Sequence, residues 1–403
     1  MSNTCVPLAY LVSRYPAISH TFILREIAHL RTLGHQIHTA SINAPDRSLD
    51  LMDATERAEA ERTYGVKQHG AAGALAALGY WALRAPSALL KTLATSRRFG
   101  LLKGLAYTVE AAMVARWMQR QSLAHLHVHF GNAGASVGVL VKQLNGCHLS
   151  YTIHGPDEFD DVPGQQLAFK MQAADVIVCI SQFARSQLMR ISSPADWPKF
   201  RVCRLGVDAS VFQAAPRTTT ASIPQLVSIG RLTPAKGQVL LIQACAQLRA
   251  RGVPFHLTMV GDGPDRGRVE AEIALLQLQE QVTLTGSLTQ AGVRAELSRA
   301  DGFVLPSLAE GIPVVLMEAM ASYVPCISTP VNGIPELIEH GHTGLLATPG
   351  DVDSLVTQLT ALCTNAALRQ RMALAAYTKV TQHFDLFSNV RALGGVFAQF
   401  PKA

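Results

Sequence analysis

The 403-residue chain contains no apolar run near the ~20 residues of a membrane-spanning helix, and the longest candidate, residues 70–83, is too short. Its first residues, Met1-Ser-Asn-Thr-Cys5, carry no basic segment and lead directly into a strand pattern. That is the expectation for a cytoplasmic chain rather than an exported one. The seven cysteines are far apart, with no Cys-x-x-Cys pair and no Cys/His cluster, so neither a disulfide framework nor a zinc site is expected. No internal repeat or low-complexity block occurs. Only 16% of residues are charged while 48% are hydrophobic, a balance that suits packed α/β domains and excludes disorder.

Acidic residues are missing from one stretch in particular. Between Arg84 and Arg120 stand Arg84, Lys91, Arg97, Arg98, Lys103, Arg116 and Arg120 against Glu110 alone, in a chain of net charge +6. Tyr80, Trp81, Phe99, Tyr107 and Trp117 are interleaved with leucine and alanine. One reading is two amphipathic helices covering a sheet; the other is a basic-amphipathic surface for an anionic membrane. Nucleic acid is not expected as a partner, because nothing supplies a base-reading element.

Short apolar runs alternate with helix-period segments along the rest of the chain, the mark of parallel sheets wrapped by helices. The expected fold is α/β, with two doubly wound, Rossmann-like domains facing a central cleft. An N-terminal domain is expected over residues 1–205, with the basic helical insertion at about 70–120. Residues 206–224 lack any period and read as a linker. A second domain is expected over 225–384, and a final amphipathic helix, 385–403, packing back on the first.

The second half carries the chemistry. In Glu310-Gly-Ile-Pro-Val-Val-Leu-Met-Glu318 two carboxylates stand eight positions apart around the expected start of a helix over Ile312–Ser322. Along a helix axis that spacing is roughly 12 Å, about the span of a nucleotide sugar from sugar ring to ribose. The helix start offers free backbone N–H groups and a partial positive charge to phosphates. A glycosidase carboxylate pair would sit closer, at about 5–9.5 Å. Upstream, Ser228-Ile-Gly230-Arg231 ends a strand and Lys236-Gly237 opens a helix, placing two cations where an anion can bind. Val260-Gly-Asp262-Gly263-Pro264 repeats the tight turn after another strand. Solvated surface charge is the competing account of each feature taken alone.

Together, Gly230-Arg-Leu…Lys236-Gly, Gly261-Asp-Gly-Pro264, Glu310-Gly-Ile-Pro…Glu318-Ala-Met-Ala321 and Gly333-Ile-Pro-Glu336 resemble the retaining glycosyltransferases of family 4, with the two-domain GT-B fold. In the first half, Tyr15-Pro-Ala-Ile-Ser-His-Thr-Phe-Ile-Leu-Arg-Glu26 and His127-Val-His-Phe130 are similar to a branch associated with exopolysaccharide and colanic-acid-type assembly. The resemblance implies a hexosyltransferase that moves sugar from a nucleotide sugar to a glycan or lipid-linked acceptor. It implies retention by front-face substitution, with the diphosphate helping to deprotonate the acceptor. No cofactor is implied beyond the nucleotide-sugar co-substrate, and no Asp-x-Asp stands at a strand end, so a metal-independent reaction is expected.

By the same resemblance His154, Arg231, Lys236 and Glu310 would carry catalysis. Gly230, Asp262, Gly263, Gly311, Ile312, Pro313, Val314 and Glu318 would hold the donor, Glu318 through its ribose. On the acceptor side Ser19, Thr21, Arg25 and Asp157 are candidates, since the Gly-Gly loop common after the family's first strand is absent. The acids Asp157, Glu158, Asp160 and Asp161 read as a solvated loop. His125, His127 and His129 share one face of a strand and read as packing rather than as metal ligands. Two rival readings are a nucleotide-sugar epimerase on the same fold and a non-catalytic nucleotide-sugar binder.

Overall fold

The computed structural model describes residues 7–212 and 223–400, except for the Ser19 side chain. The linker expected over 206–224 thus lies outside the described residues from 213 to 222. The chain divides into two compact units, Met1–Arg204 with Asn389–Ala403, and Leu205–Ser388.

Among the described residues the first unit holds seven strands: β1 (Leu8–Arg14), β2 (Ile37–Asn43), β3 (Tyr64–Gly65), β4 (His125–His129), β5 (His148–Ile153), β6 (Val176–Cys179) and β7 (Phe200–Val202). They form one parallel sheet in the order β3-β2-β1-β4-β5-β6-β7. The second unit holds β8 (Gln225–Ile229), β9 (His256–Val260), β10 (Val282–Gly286), β11 (Gly302–Leu305), β12 (Cys326–Ser328) and β13 (Leu345–Leu346). Their order, again parallel, is β10-β9-β8-β11-β12-β13. Both sheets are doubly wound. In each, strand order reverses once, between β1 and β4 and between β8 and β11, and the carboxyl ends flanking such a reversal are where open α/β sheets bind ligands.

The second sheet is apolar in the way expected of a parallel sheet covered on both faces. Leu226, Leu257, Val304 and Ile327 are buried with Leu241, Leu248 and Leu359 from flanking helices. The first sheet has two unlike faces. Leu126, Val128, Leu149, Tyr151 and Ile153 pack into an apolar cluster with Ala111–Ala115 and Val137–Leu144. The alternate positions on the same strands, His125, His127, His129, Ser150 and Thr152, are all buried, as is Tyr10 of β1 in register with His127. Phe397, at the end of the Leu386–Phe397 helix, covers this polar face with its ring 4.9 Å from His127, 5.6 Å from His125 and 6.1 Å from Tyr10.

Residues 70–120 form three helices, Gly70–Arg84, Pro86–Ser96 and Leu101–Arg120, where two were expected. Pro86 starts the second because proline suits the first helical position. Gly100, at φ +90°, separates the second from the third. The third helix is buried from Glu110 to Ala115, and Trp81 of the first donates its indole N–H to Ala112 O at 3.0 Å. No helix among the described residues is long and apolar enough to cross a membrane.

Candidate active site

The strand reversal of the second sheet gathers most of the residues singled out in the sequence. Gly230 and Arg231 follow β8, and a short turn over Pro234–Lys236 leads into the Gln238–Ala250 helix. Pro306 to Pro313 follow β11. Lys236 Nζ lies 2.5 Å from Glu310 Oε1, and Ser307 Oγ donates to the same oxygen at 2.6 Å. Glu310 is buried, whereas the Lys236 side chain keeps about a fifth of its surface open. The other Glu310 oxygen has no partner among the described residues, and one lysine cannot use all three of its donors on one carboxylate oxygen.

Backbone contacts lock these loops in place. Gly261 lies at φ +138°, and a Cβ there would stand 2.0 Å from the carbonyl oxygen of Gly230. Gly237, at φ +67°, faces Pro306 O in the same way at 2.2 Å. Any side chain at either position would push the β8, β9 and β11 loops apart. Leu308 N donates to Ala235 O at 2.7 Å, and the Thr329 hydroxyl donates to Ser307 O at 2.5 Å.

The helix expected over Ile312–Ser322 is shorter, Val314–Ala321, so Glu310 is not on it and the axial spacing does not measure the distance between the two glutamates. Proline is the cause. Pro313 takes an extended conformation as the N-cap, and it biases Ile312 away from the helical region. Gly311 and Ile312 therefore belong to the loop, with Gly311 O against Gly333. The helix start at Val314 has no side-chain cap and no acid in its first turn. Leu316 N donates to Pro313 O at 3.1 Å, which leaves the N–H groups of Val314 and Val315 for an anion. Glu318 is buried one turn on. Arg231 is exposed, and its side chain has no partner among the described residues. Asp262 is turned to its own loop, accepting from Gly263 N at 2.7 Å and standing 3.3 Å from Arg266.

His154 follows β5 in the first unit, buried between Phe22 and Phe130 at ring distances of 4.9 and 4.5 Å. Its Nε2 lies 2.9 Å from His129 Nδ1, and its Nδ1 is buried without a partner among the described residues. Burial, then the nearby His129 and His20, holds its pKa well below the ordinary histidine value, so the ring is neutral. Thr21 opens the Thr21–Thr32 helix, and it and Arg25 are half-buried; Asp157 is exposed.

Glu158, read as part of a solvated loop, is instead buried and acts as a clamp. Its carboxylate accepts from His154 N at 2.6 Å, from Gly155 N at 2.9 Å and from Gly131 N. Burial raises it to about 7 despite these donors. Lys170 is buried nearby, donating to Gly131 O at 2.7 Å and Asn132 O at 3.0 Å, and burial lowers it to about 8. Glu158 was hidden by its three acidic neighbours; Lys170 sits in an ordinary helical pattern that gives no signal.

The three β4 histidines do share one face. His125 Nε2 and His127 Nδ1 meet the Ser150 hydroxyl at 2.7 and 2.8 Å, and His127 Nε2 meets Thr152 Oγ1 at 2.9 Å. Ligand atoms of Glu26, His127 and His129 come within 4.8 Å of one another, yet both His127 nitrogens are already occupied by hydroxyls. Burial lowers His125 to about 3 and holds His127 well below the usual range.

Residues 219–379 match the model of the family "Glycosyl transferases group 1". WcaL of Salmonella typhimurium, provisionally assigned as a colanic acid biosynthesis glycosyltransferase, is 30% identical over 375 residues, covering 87% of this chain and 89% of WcaL. The chain belongs to the group 1 glycosyltransferases. The amylovoran biosynthesis glycosyltransferase AmsK of Erwinia amylovora is 28% identical over 404 residues, covering 96% of this chain and 98% of AmsK. Among solved structures, Anabaena Alr3699/HepE in complex with UDP and glucose superposes with a TM-score of 0.75 at 18% identity, over 98% of this chain and all of that one. This group 1 glycosyltransferase therefore has the GT-B fold and transfers sugar from a nucleotide sugar.

Proposed function

We propose that this glycosyltransferase carries its donor at the β8/β11 strand reversal and elongates a cell-surface or exopolysaccharide glycan, on a free or lipid-linked acceptor, with retention and without a metal. The observation that carries the donor site is the Lys236–Glu310–Ser307 contact beside the uncapped helix start at Val314. Transfer builds negative charge on the departing diphosphate, and preorganised cations and N–H donors stabilise that charge. Arg231, the spare donors of Lys236 and the N–H groups near Val314 supply them. The unused oxygen of Glu310 accepts from a donor-sugar hydroxyl, while Glu318 takes the ribose. Gly230, Asp262 and Gly263 shape the floor of the site, with Gly311, Ile312 and Pro313 at its edge. In the first unit His154 takes a sugar hydroxyl, and Thr21, Arg25 and Asp157 attend the acceptor; Ser19 belongs with them by sequence.

The glycan class rests on the roles named for WcaL and AmsK. A lipid-linked acceptor agrees with the outer helices of residues 70–105. Leu75, Leu83, Leu90, Leu101 and Leu102 are each at least two-thirds exposed there, beside Arg84, Lys91, Arg97, Arg98 and Lys103. No acid occurs between Glu61 and the buried Glu110. Such a face suits the anionic inner surface of a cell membrane.

Thermal-shift screening of UDP-, GDP- and ADP-sugars tests the donor site, with UDP-glucose first because the HepE structures contain it. A bound donor at a hundred times its Kd stabilises by about 2.7 kcal/mol. The best donor then goes to acceptor trials. Transfer to an acceptor supports the proposal; a rearranged sugar released from donor alone would instead establish an epimerase, and no stabilisation by any nucleotide sugar would refute the site.

A further inference from the structure

The polar face of the first sheet contains a chain of contacts that fixes where hydrogens sit. Glu26, on the Thr21–Thr32 helix, is buried, and Tyr10 donates its hydroxyl to Glu26 Oε1 at 2.9 Å. His129 Nε2 stands 3.2 Å from the same oxygen, although not in good hydrogen-bond alignment. On its other side His129 Nδ1 meets His154 Nε2 at 2.9 Å. A carboxylate only accepts, so the nitrogen facing it must bear the hydrogen. An imidazole whose single hydrogen sits on Nε2 presents Nδ1 as an acceptor, and His154 Nε2 then donates to it. Burial of His154 between aromatic rings keeps it neutral, which leaves Nδ1 as a bare, desolvated acceptor. An unpaired buried acceptor costs free energy until a donor reaches it.

We infer that Glu26 and His129 are positioning residues that hold His154 in its Nε2–H form, so that Nδ1 receives a neutral hydroxyl donor from the sugar substrate. The hydroxyl follows from the apolar rings around Nδ1: a cation would be desolvated there with no counter-charge from His154, and a second acceptor would be repelled. This rests on the glycosyltransferase reading of His154, whereas the tautomer itself does not. Tyr10 stays a donor because burial and Glu26 raise its pKa well above the ordinary phenol value. His127 is not a link, since its nitrogens face Ser150 and Thr152.

Long-range 15N–1H spectra of the 15N-histidine-labelled full chain, assigned with His154→Asn, read the tautomer directly. The expected signature for His154 is a protonated Nε2 and an unprotonated Nδ1, a result that needs no folded variant. Glu26→Gln should retain it, because the amide oxygen accepts from both Tyr10 and His129. Glu26→Leu should lose it and raise KM for the sugar by on the order of tenfold, the cost of one hydrogen bond, with kcat nearly unchanged. A wild-type His154 protonated at Nδ1 overturns the inference. So does a folded Glu26→Leu protein whose His154 tautomer is unaltered. The expected tautomer in a protein that binds no nucleotide sugar would defeat the transfer reading and leave the positioning chain standing.

Discussion

The two strand reversals solve the same problem with different materials. In the second unit the loops are held by backbone against backbone, with Gly237 and Gly261 pressed onto carbonyl oxygens and the charged contact Lys236–Glu310 at the rim. In the first unit the equivalent edge is held by side chains: Ser13 donates to Asn132 across β1 and β4, Glu158 gathers three backbone N–H groups, and histidines pair with one another. A backbone-built edge tolerates almost no substitution but leaves its polar side chains free for a ligand. A side-chain-built edge ties its polar groups to each other, so that few are left over for chemistry.

The sharpest way to break this contrast is at Lys236. If its side chain serves the ligand rather than the fold, Lys236→Ala should cost about 2–4 kcal/mol of transition-state stabilisation, roughly 30- to 1,000-fold in kcat. Its effect on stability should be smaller, because Ser307 stays on the buried Glu310 oxygen and the partly solvated lysine leaves room for water to take its place. Steady-state kinetics beside urea unfolding checks this, and near-wild-type turnover would remove Lys236 from the phosphate role. Gly237→Ala should do the reverse. A left-handed alanine whose Cβ meets Pro306 O is expected to destabilise by roughly 2–3 kcal/mol. An unchanged unfolding midpoint would show that the loops are not backbone-locked.

These two positions also explain what was legible beforehand. Gly230, Gly237, Gly261, Lys236 and Glu310 could be picked out because backbone-limited sites permit few residue types, so the constraint is written in the residues themselves. The parallel alternation of both sheets was equally plain from apolar periodicity. The start of the helix at Val314 was misplaced by two residues, since Pro313 acts as the cap rather than as a helical residue. Glu158 as a partner of His154, and Glu26 as a neighbour of His129, were not legible. Their roles depend on which side of a loop or helix turns inward, and acids in local sequence look the same whether solvated or buried. The polar sheet face was read as packing from the alternation of His-Leu-His-Val-His, and the structure adds the ring that covers it, Phe397 from the far end of the chain.

Glu158 sharpens the comparison through pH. Its folded pKa of about 7 exceeds the ordinary 4.5, so the folded state holds the proton more tightly. Its contribution to stability is therefore complete below about pH 4.5 and lost as pH rises through 7. Lys170 acts oppositely: lowered from 10.5 to about 8, its contribution is present above 10.5 and lost as pH falls through 8. The pair is least favourable between pH 7 and 8. In Glu158→Gln the slope between pH 4.5 and 7 should flatten, with roughly 1–3 kcal/mol lost because an amide cannot accept on both sides. Urea unfolding across that range decides it, and a slope identical to wild type would mean that Glu158 does not titrate there.

The smallest expected effect on stability concerns the outer surfaces of the two units. In the second unit the exposed large apolar residues, such as Leu275, Leu308 and Leu374, stand apart in sequence on separate elements. In the first, Leu101 and Leu102 lie beside Lys103 and shortly after Arg97 and Arg98, all exposed. Single exposed apolar residues need no explanation, but adjacent ones among cations do. Leu101→Ser with Leu102→Ser should change unfolding free energy by no more than about 0.5 kcal/mol, since neither side chain is in the core. The same pair should nevertheless abolish sedimentation with phosphatidylglycerol vesicles, which in wild type should weaken as salt screens the cations. Wild-type protein that ignores such vesicles even at low salt would return these helices to the status of a plain cover for the first sheet.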